Sequence, residues 1–293
     1  MKVLGPGCIR CYATKIPSVT VQQFLRDPVK IIVIPVTNKK VFIYHKHTAD
    51  LLNEDSSVIR LERWVTKKAA DIWGKLNSSP KSYNKKIVLW VNKLLMNTPW
   101  TENSLKTIPG ENYLLKRVSK KDEPNDETKL SLTEYLSSNI PLEPKPLNVY
   151  LPGSILSEEE VKLQFEKEYR TGMQYHKKQM LLCLLGLPLT LPVILVPIIP
   201  NVPGFYLTYR AYCNYKAYAG AQHLKTIMEK QSPKLEFRDI EEYDKIFNTQ
   251  ETLLLNDKTL PKIIELLEIP EMKIDLEKVV IQEKARIEEI QRD

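Results

Sequence analysis

The sequence predicts an α+β N-terminal domain, a small sheet with a hairpin plus helices, followed by a mostly α-helical region that contains a proline-rich apolar membrane hairpin. Three observations carry this reading: two short runs rich in Val and Ile before residue 46, helical periodicity over 58–96 and again after residue 157, and 31 consecutive uncharged residues at 179–209. With 293 residues, 43% of them apolar, the chain has the material for a sizeable core, which excludes global disorder.

The first residues are basic and acid-free: Lys2, Arg10, Lys15 and Arg26 precede the first acid, Asp27. That composition marks a transit peptide, and Arg10-Cys11-Tyr12 before Ala13 resembles a mitochondrial processing pattern, so residues 1–12 are read as a presequence and 13–28 as a linker. No apolar run of secretory length follows the first basic residues.

Val29 to Val36 and Val41 to His45 flank Thr37-Asn38-Lys39-Lys40, the pattern of a β-hairpin turning at Asn38. Pro35 has no amide to donate, which places it at an edge of the sheet or near the strand's end. Val58, Leu61, Val65, Ala69, Ile72 and Leu76 recur at the spacing of one helical face, and Ile87, Trp90, Leu94 and Leu95 repeat it until Pro99. Tyr113 to Val118 offers a third strand, which closes an α+β domain at 29–120. Trp64, Trp73, Trp90 and Trp100 fall inside this domain and are expected in its core.

Residues 121–148 mix acids, Ser, Asn and prolines and read as a linker. Ser157 and Glu160 then form a capping box for a helix running through Val161, Phe165, Tyr169 and Met173, the start of a helical membrane-associated region at 149–231. Its apolar core, 179–209, is longer than the roughly 20 residues a transmembrane helix needs. Pro188, Pro192, Pro197, Pro200 and Pro203 prevent one straight helix, because each removes an amide donor and clashes with the preceding turn. Two helical pieces meeting near Pro200, Asn201, Pro203 and Gly204 are the expectation, followed by Tyr206, Tyr209, Tyr212, Tyr215 and Tyr218, with Arg210 and Lys216 reaching toward phosphate as an interfacial anchor. Residues 232–293 read as charged helices, the last placing Leu276, Val280, Ile287 and Ile290 near heptad spacing with Glu283 interrupting the seam.

Chemistry-bearing motifs are scarce. Dinucleotide-binding, Walker, nucleophile-elbow and zincin patterns are absent, so the chain is expected not to be an enzyme and to need no cofactor. His45 and His47 share a strand face without a third ligand nearby in sequence, and Cys8 with Cys11 form a C-x2-C pair that lacks a second pair, so no metal site is expected. Lys and Arg exceed Asp and Glu by 43 to 36, and the doublets Lys39-Lys40, Lys67-Lys68, Lys85-Lys86 and Lys120-Lys121 suit an anionic partner, lipid or RNA.

The blocks Ile31 to Asn38, Pro99-Trp100, Leu114-Leu115 and above all Ile199 to Tyr212 resemble the mitochondrial potassium/proton exchange-related family, over roughly 29–230. The resemblance implies an inner-membrane role in potassium and proton homeostasis, with inner-membrane lipid and other membrane subunits as partners, and it carries over no catalytic residue. A lone exchanger places ionisable groups within the bilayer, whereas 179–209 holds none, so the expected role is a component or regulator of exchange, not a complete transporter. The alternative is a matrix-side, membrane-associated scaffold or RNA- or ribosome-binding protein, with nucleic acid not favoured.

Overall fold

The computed structural model describes residues 16–54, 56–120, 123–194, 202–248 and 250–292. The segment expected to be a presequence, the Cys8–Cys11 pair, Pro197, Pro200 and Asn201 therefore lie outside the described residues.

The described residues open with a short strand, β1 (Ser18–Val19), and a short helix, α1 (Val21–Arg26), where a linker is expected; a Thr20–Gln23 capping box starts α1, whose Phe24 is buried. The hairpin follows as read: β2 (Val29–Thr37) pairs antiparallel with β3 (Lys40–His47), Val33 opposite Ile43. Three helices come next, α2 (Ser57–Asn77), α3 (Ser82–Met96) and α4 (Trp100–Thr107), the last starting at Pro99.

The third strand is β4 (Lys116–Lys120), and it does not extend the hairpin. It lies between β5 (Glu123–Leu130) and β6 (Leu142–Pro144) in a separate three-stranded antiparallel sheet, with α5 (Leu132–Ser137) linking the last two. Most of 121–148, read as linker, is thus taken up by regular structure.

Then come β7 (Leu147–Leu151), α6 (Glu158–Gly186), a 3₁₀ turn at Leu187–Thr190, α7 (Leu191–Ile194), α8 (Val202–Lys230) and β8 (Leu235–Ile240). The chain ends with α9 (Glu241–Asp244), α10 (Thr259–Leu266) and α11 (Lys273–Arg292). The Ser157–Glu160 capping box is present, and Val161, Phe165 and Tyr169 of α6 are buried.

The main sheet has the order β1-β8-β7-β2-β3, parallel except for the hairpin. A parallel neighbour of β2 has to come from a distant crossover, and here it is β7, with Ile31 aligned to Val149; β8 then lies against β7. Helices cover both faces, which explains why Ile31 to Val36 are buried without a break. Ile31 and Val33 face Phe165, Ala217, Ala221 and Leu224 of α6 and α8. Ile32 and Ile34 face Phe24, Leu260, Ile263, Leu276 and Val279 on the other side. Pro35 sits beyond the last residue that β7 pairs, Ile32, so its missing amide costs no ladder bond on that side.

Two expectations are overturned. The fold is an α/β arrangement whose mixed sheet draws strands from residues 18 to 240, not an α+β domain followed by a membrane hairpin. Among the described residues no helix is long and apolar enough to cross a membrane. The physical reason is where the uncharged run falls. Its first eight residues, 179–186, end α6, and its last eight, 202–209, begin α8, so each helix has about 12 Å of uncharged length against a hydrocarbon core of about 30 Å. The rest of both helices is polar on one side and packed on the sheet on the other.

The tryptophans are the second correction. Trp100 is buried, but Trp64 is 60% and Trp90 51% exposed, because α2 and α3 stand off the sheet and pack chiefly on each other. The C-terminal helix docks through the residue that breaks its seam: the buried Glu283 carboxylate accepts from Lys40 Nζ at 2.7 Å, Trp100 Nε1 at 2.9 Å and Arg286 Nε at 2.7 Å.

Candidate functional site

Helix α8 can approach α4 closely because residue 220 has no side chain. A Cβ there would lie 2.1 Å from the Leu105 carbonyl oxygen and 2.7 Å from that of Ile108, so only glycine fits. On α6, Gly172 admits Leu105 Cδ1 in the same way, at 2.4 Å from an added Cβ. These contacts lock three helices together and enclose a polar cluster between them.

At its centre Arg210 of α8 donates from both terminal nitrogens to Glu102 of α4, at 2.6 Å each, a bidentate fork. Glu102 is fully buried and Arg210 is 8% exposed; Lys106 stands 3.8 Å from the same carboxylate. Burial pushes the Glu102 carboxyl upward, but the Arg210 hydrogen bonds and charge, with Lys106, hold it below the ordinary range. Asn214 donates its amide to the Arg210 carbonyl at 2.8 Å, which leaves its Oδ1 facing His176 Nδ1 at 2.8 Å. That assigns the proton of neutral His176 to Nδ1, and burial lowers the histidine's pKa, favouring the neutral form.

A second acid ties α8 to the outlying helices. Glu62 of α2 accepts from Tyr113 and Tyr212 hydroxyls and pairs with Lys216 at 2.8 Å. Burial raises its pKa, but these three partners outweigh burial and hold it low. Beside it opens a cleft of about 220 Å³, lined by His47, Glu62, Arg63, Lys106, Tyr215 and Lys216 among others.

The described residues among those singled out from sequence gather at one end of the α6–α8 pair, where the turn after α6 packs on the start of α8. Pro188 lies in the 3₁₀ turn, Pro192 in α7, and Pro203 and Gly204 in the first turn of α8, next to Tyr206 and Tyr209. Tyr206 meets Trp90 of α3, ring centroids 6.3 Å apart. Tyr209 stays 43% exposed, but Arg210 does not reach outward as expected: it turns inward, because Glu102 offers it a buried counter-charge. Around the α6–α8 end Leu185, Leu189, Leu191 and Phe205 are exposed by 73%, 81%, 59% and 54%.

Glu102, Glu62, His176 and Asn214 carry the clusters and were not found by sequence reasoning. Glu102 lies two residues after the Pro99-Trp100 block, whose start of a helix was the one local signal. His45 and His47 do share a strand face, with ring centroids 5.6 Å apart, and the Nδ1 atom of each is buried without a protein partner. Among the described residues no group of three or more His, Cys, Asp or Glu side chains is placed to hold a metal. Chemically, the central cluster holds charge and shape. A carboxylate kept ionised by a bidentate arginine does not exchange its proton near neutral pH.

Comparison with known proteins gives these clusters a setting. The family model described as mitochondrial K+-H+ exchange-related matches residues 30–228, from β2 to the end of α8, and so contains Glu62, Glu102, His176 and Arg210. An uncharacterised protein of Saccharomyces cerevisiae is 48% identical over 290 residues, covering 94% of this chain and 91% of its own length. An uncharacterised protein of Schizosaccharomyces pombe is 31% identical over 229 residues, covering 78% of this chain and 88% of its own. No solved structure matches.

Proposed function

The chain belongs to the mitochondrial K+-H+ exchange-related family, and from that premise we propose that it is an accessory or regulatory component of potassium/proton exchange at the inner membrane, working with other membrane subunits. The observation that carries this is the family match, which spans β2, β3 and β7 of the main sheet together with the paired helices α6 and α8.

The buried clusters support a regulatory part. Exchange requires a site that takes and releases a proton or a cation in turn. Here Arg210 and Lys216 on α8 are committed to Glu102 and Glu62, and both carboxyls are held below their ordinary range. Such pairs suit a body that presents a surface to the subunits that move the ions. Potassium and protons are then influenced through those subunits, and the reading gives the chain no catalytic chemistry.

The test is passive swelling of isolated mitochondria in potassium acetate, with and without the protein. The expected result is slowed swelling and recovery in its absence, restored by re-expression. Swelling and recovery indistinguishable from the parent organelles would overturn the reading.

A further inference from the structure

Helices α2 and α3 form an arm with an unusual surface. Together they hold eight basic residues, Arg60, Arg63, Lys67, Lys68, Lys75, Lys85, Lys86 and Lys93, against two acids, Glu62 and Asp71. Glu62 is turned inward onto Tyr113, Tyr212 and Lys216, so the exposed side of the arm is more basic still.

Each helix of the arm also leaves one large aromatic in water. Trp64 has Arg60 at i−4, Lys67 at i+3 and Lys68 at i+4, the offsets that stack side chains on one helical face. Trp90 has Lys86 at i−4 and Lys93 at i+3, and Leu89 beside it is 69% exposed. Val65 and Met96 are exposed too, by 37% and 40%. The Trp90–Tyr206 ring contact joins this surface to the start of α8, where Phe205 stands free.

We propose that this face of the α2–α3 arm docks on an anionic phospholipid surface, lying on the headgroup layer without crossing it. Indole rings ringed by lysine and arginine suit that layer: the rings reach the acyl boundary while the long basic stems carry their charge to lipid phosphate. Charge complementarity names the occupant, and the aliphatic members favour lipid over nucleic acid, since exposed Leu89 and Met96 have hydrocarbon to enter but no base to stack on. The proposal rests on the reading that the protein works beside a membrane, and it supplies the surface by which it would do so.

The test uses the full chain and vesicles of phosphatidylcholine alone or with phosphatidylglycerol, in a co-sedimentation assay at low and high salt. Binding is expected to the anionic vesicles only and to weaken with salt. The Trp64→Ala/Trp90→Ala variant is expected to bind about tenfold or more weakly. In Lys67→Gln/Lys68→Gln/Lys86→Gln/Lys93→Gln, each lost charge removes about fivefold. Thermal melting of the lysine variant should match the parent, because its altered side chains are exposed, so that variant reads binding without a change in fold.

Failure of the parent chain to bind anionic vesicles overturns the proposal, as does unchanged binding by both variants. It is also overturned if the four lysines prove to be needed for binding RNA while vesicles do not compete. Vesicle binding combined with normal swelling of organelles lacking the protein would sink the exchange reading and leave the docking surface standing. Impaired swelling with no vesicle binding would do the reverse.

Discussion

Replacing Arg210 with alanine tests the central cluster most directly. In the native protein the Glu102 carboxylate is fully buried and receives two guanidinium hydrogen bonds of 2.6 Å; the next cation, Lys106, is 3.8 Å away and partly exposed. The substitution leaves a buried anion with that one distant partner. Breaking a buried pair from one side costs about 3–5 kcal/mol, a large share of the roughly 5–15 kcal/mol that separates folded from unfolded proteins. For a chain of this size the melting temperature should fall on the order of 10 °C.

The loss should be read from urea unfolding followed by far-ultraviolet circular dichroism, and a variant lacking both charges serves as the comparison. Glu102→Met/Arg210→Met removes both charges and should cost much less than Arg210→Ala, since an apolar pair of similar volume avoids the desolvation penalty. The pH sign follows from the direction of the shift. Glu102 titrates below its ordinary 4.5 in the folded protein, so its contribution is present above about pH 4.5 and lost as pH falls through the folded value. The deficit of Arg210→Ala should therefore shrink in acid. A loss under about 1 kcal/mol for Arg210→Ala, or a double variant no more stable than the single one, would refute the reasoning.

Two further substitutions probe the same helices. Gly220→Ala puts a Cβ 2.1 Å from the Leu105 carbonyl oxygen, which belongs to backbone, and is expected to destabilise by about 1–3 kcal/mol; an unchanged melting temperature would show that α4 and α8 do not approach as described. Glu168 on α6 is partly buried, and burial pushes its carboxyl up to about 7 against the pull of Lys167 and Lys40. A folded value above the ordinary 4.5 means its contribution is full below pH 4.5 and lost as pH rises through 7. Glu168→Gln should accordingly melt higher than the parent at pH 8, by about 1 kcal/mol once solvent screening is allowed for, and the difference should close toward pH 5; an offset constant with pH would contradict this.

What was legible in the sequence is what local pattern determines. The hairpin between Val29 and His47, the Ser157–Glu160 cap and the C-terminal helix from Lys273 follow from residues within a few positions of each other. The sheet beyond the hairpin was not legible, because β7 and β8 pair in parallel with partners up to 221 residues away and carry no turn signal to announce it. The membrane hairpin was misread for a related reason. Hydropathy registers the uncharged run but not its division between the end of α6 and the start of α8. Arg210 illustrates the site: its block was recognised as specific, yet the partner that explains it stands 108 residues earlier in the chain. Likewise Glu283 looked like a flaw in a heptad seam until Lys40 and Trp100 were seen to converge on it.

The cover on one side of the sheet has a consequence for how the chain is made. Ile32, Ile34 and Phe42 lie in the first fifty residues, but much of their shelter comes from Tyr243, Leu260, Ile263, Leu276 and Val279. A polypeptide emerging from a ribosome, or threading through a narrow pore, amino end first, presents those side chains to solvent until nearly its last segment arrives. Its early strands must then wait, attended or at risk of association with neighbours. Closing this side of the core is therefore a late event, one that waits for the segment carrying Leu260, Ile263, Leu276 and Val279.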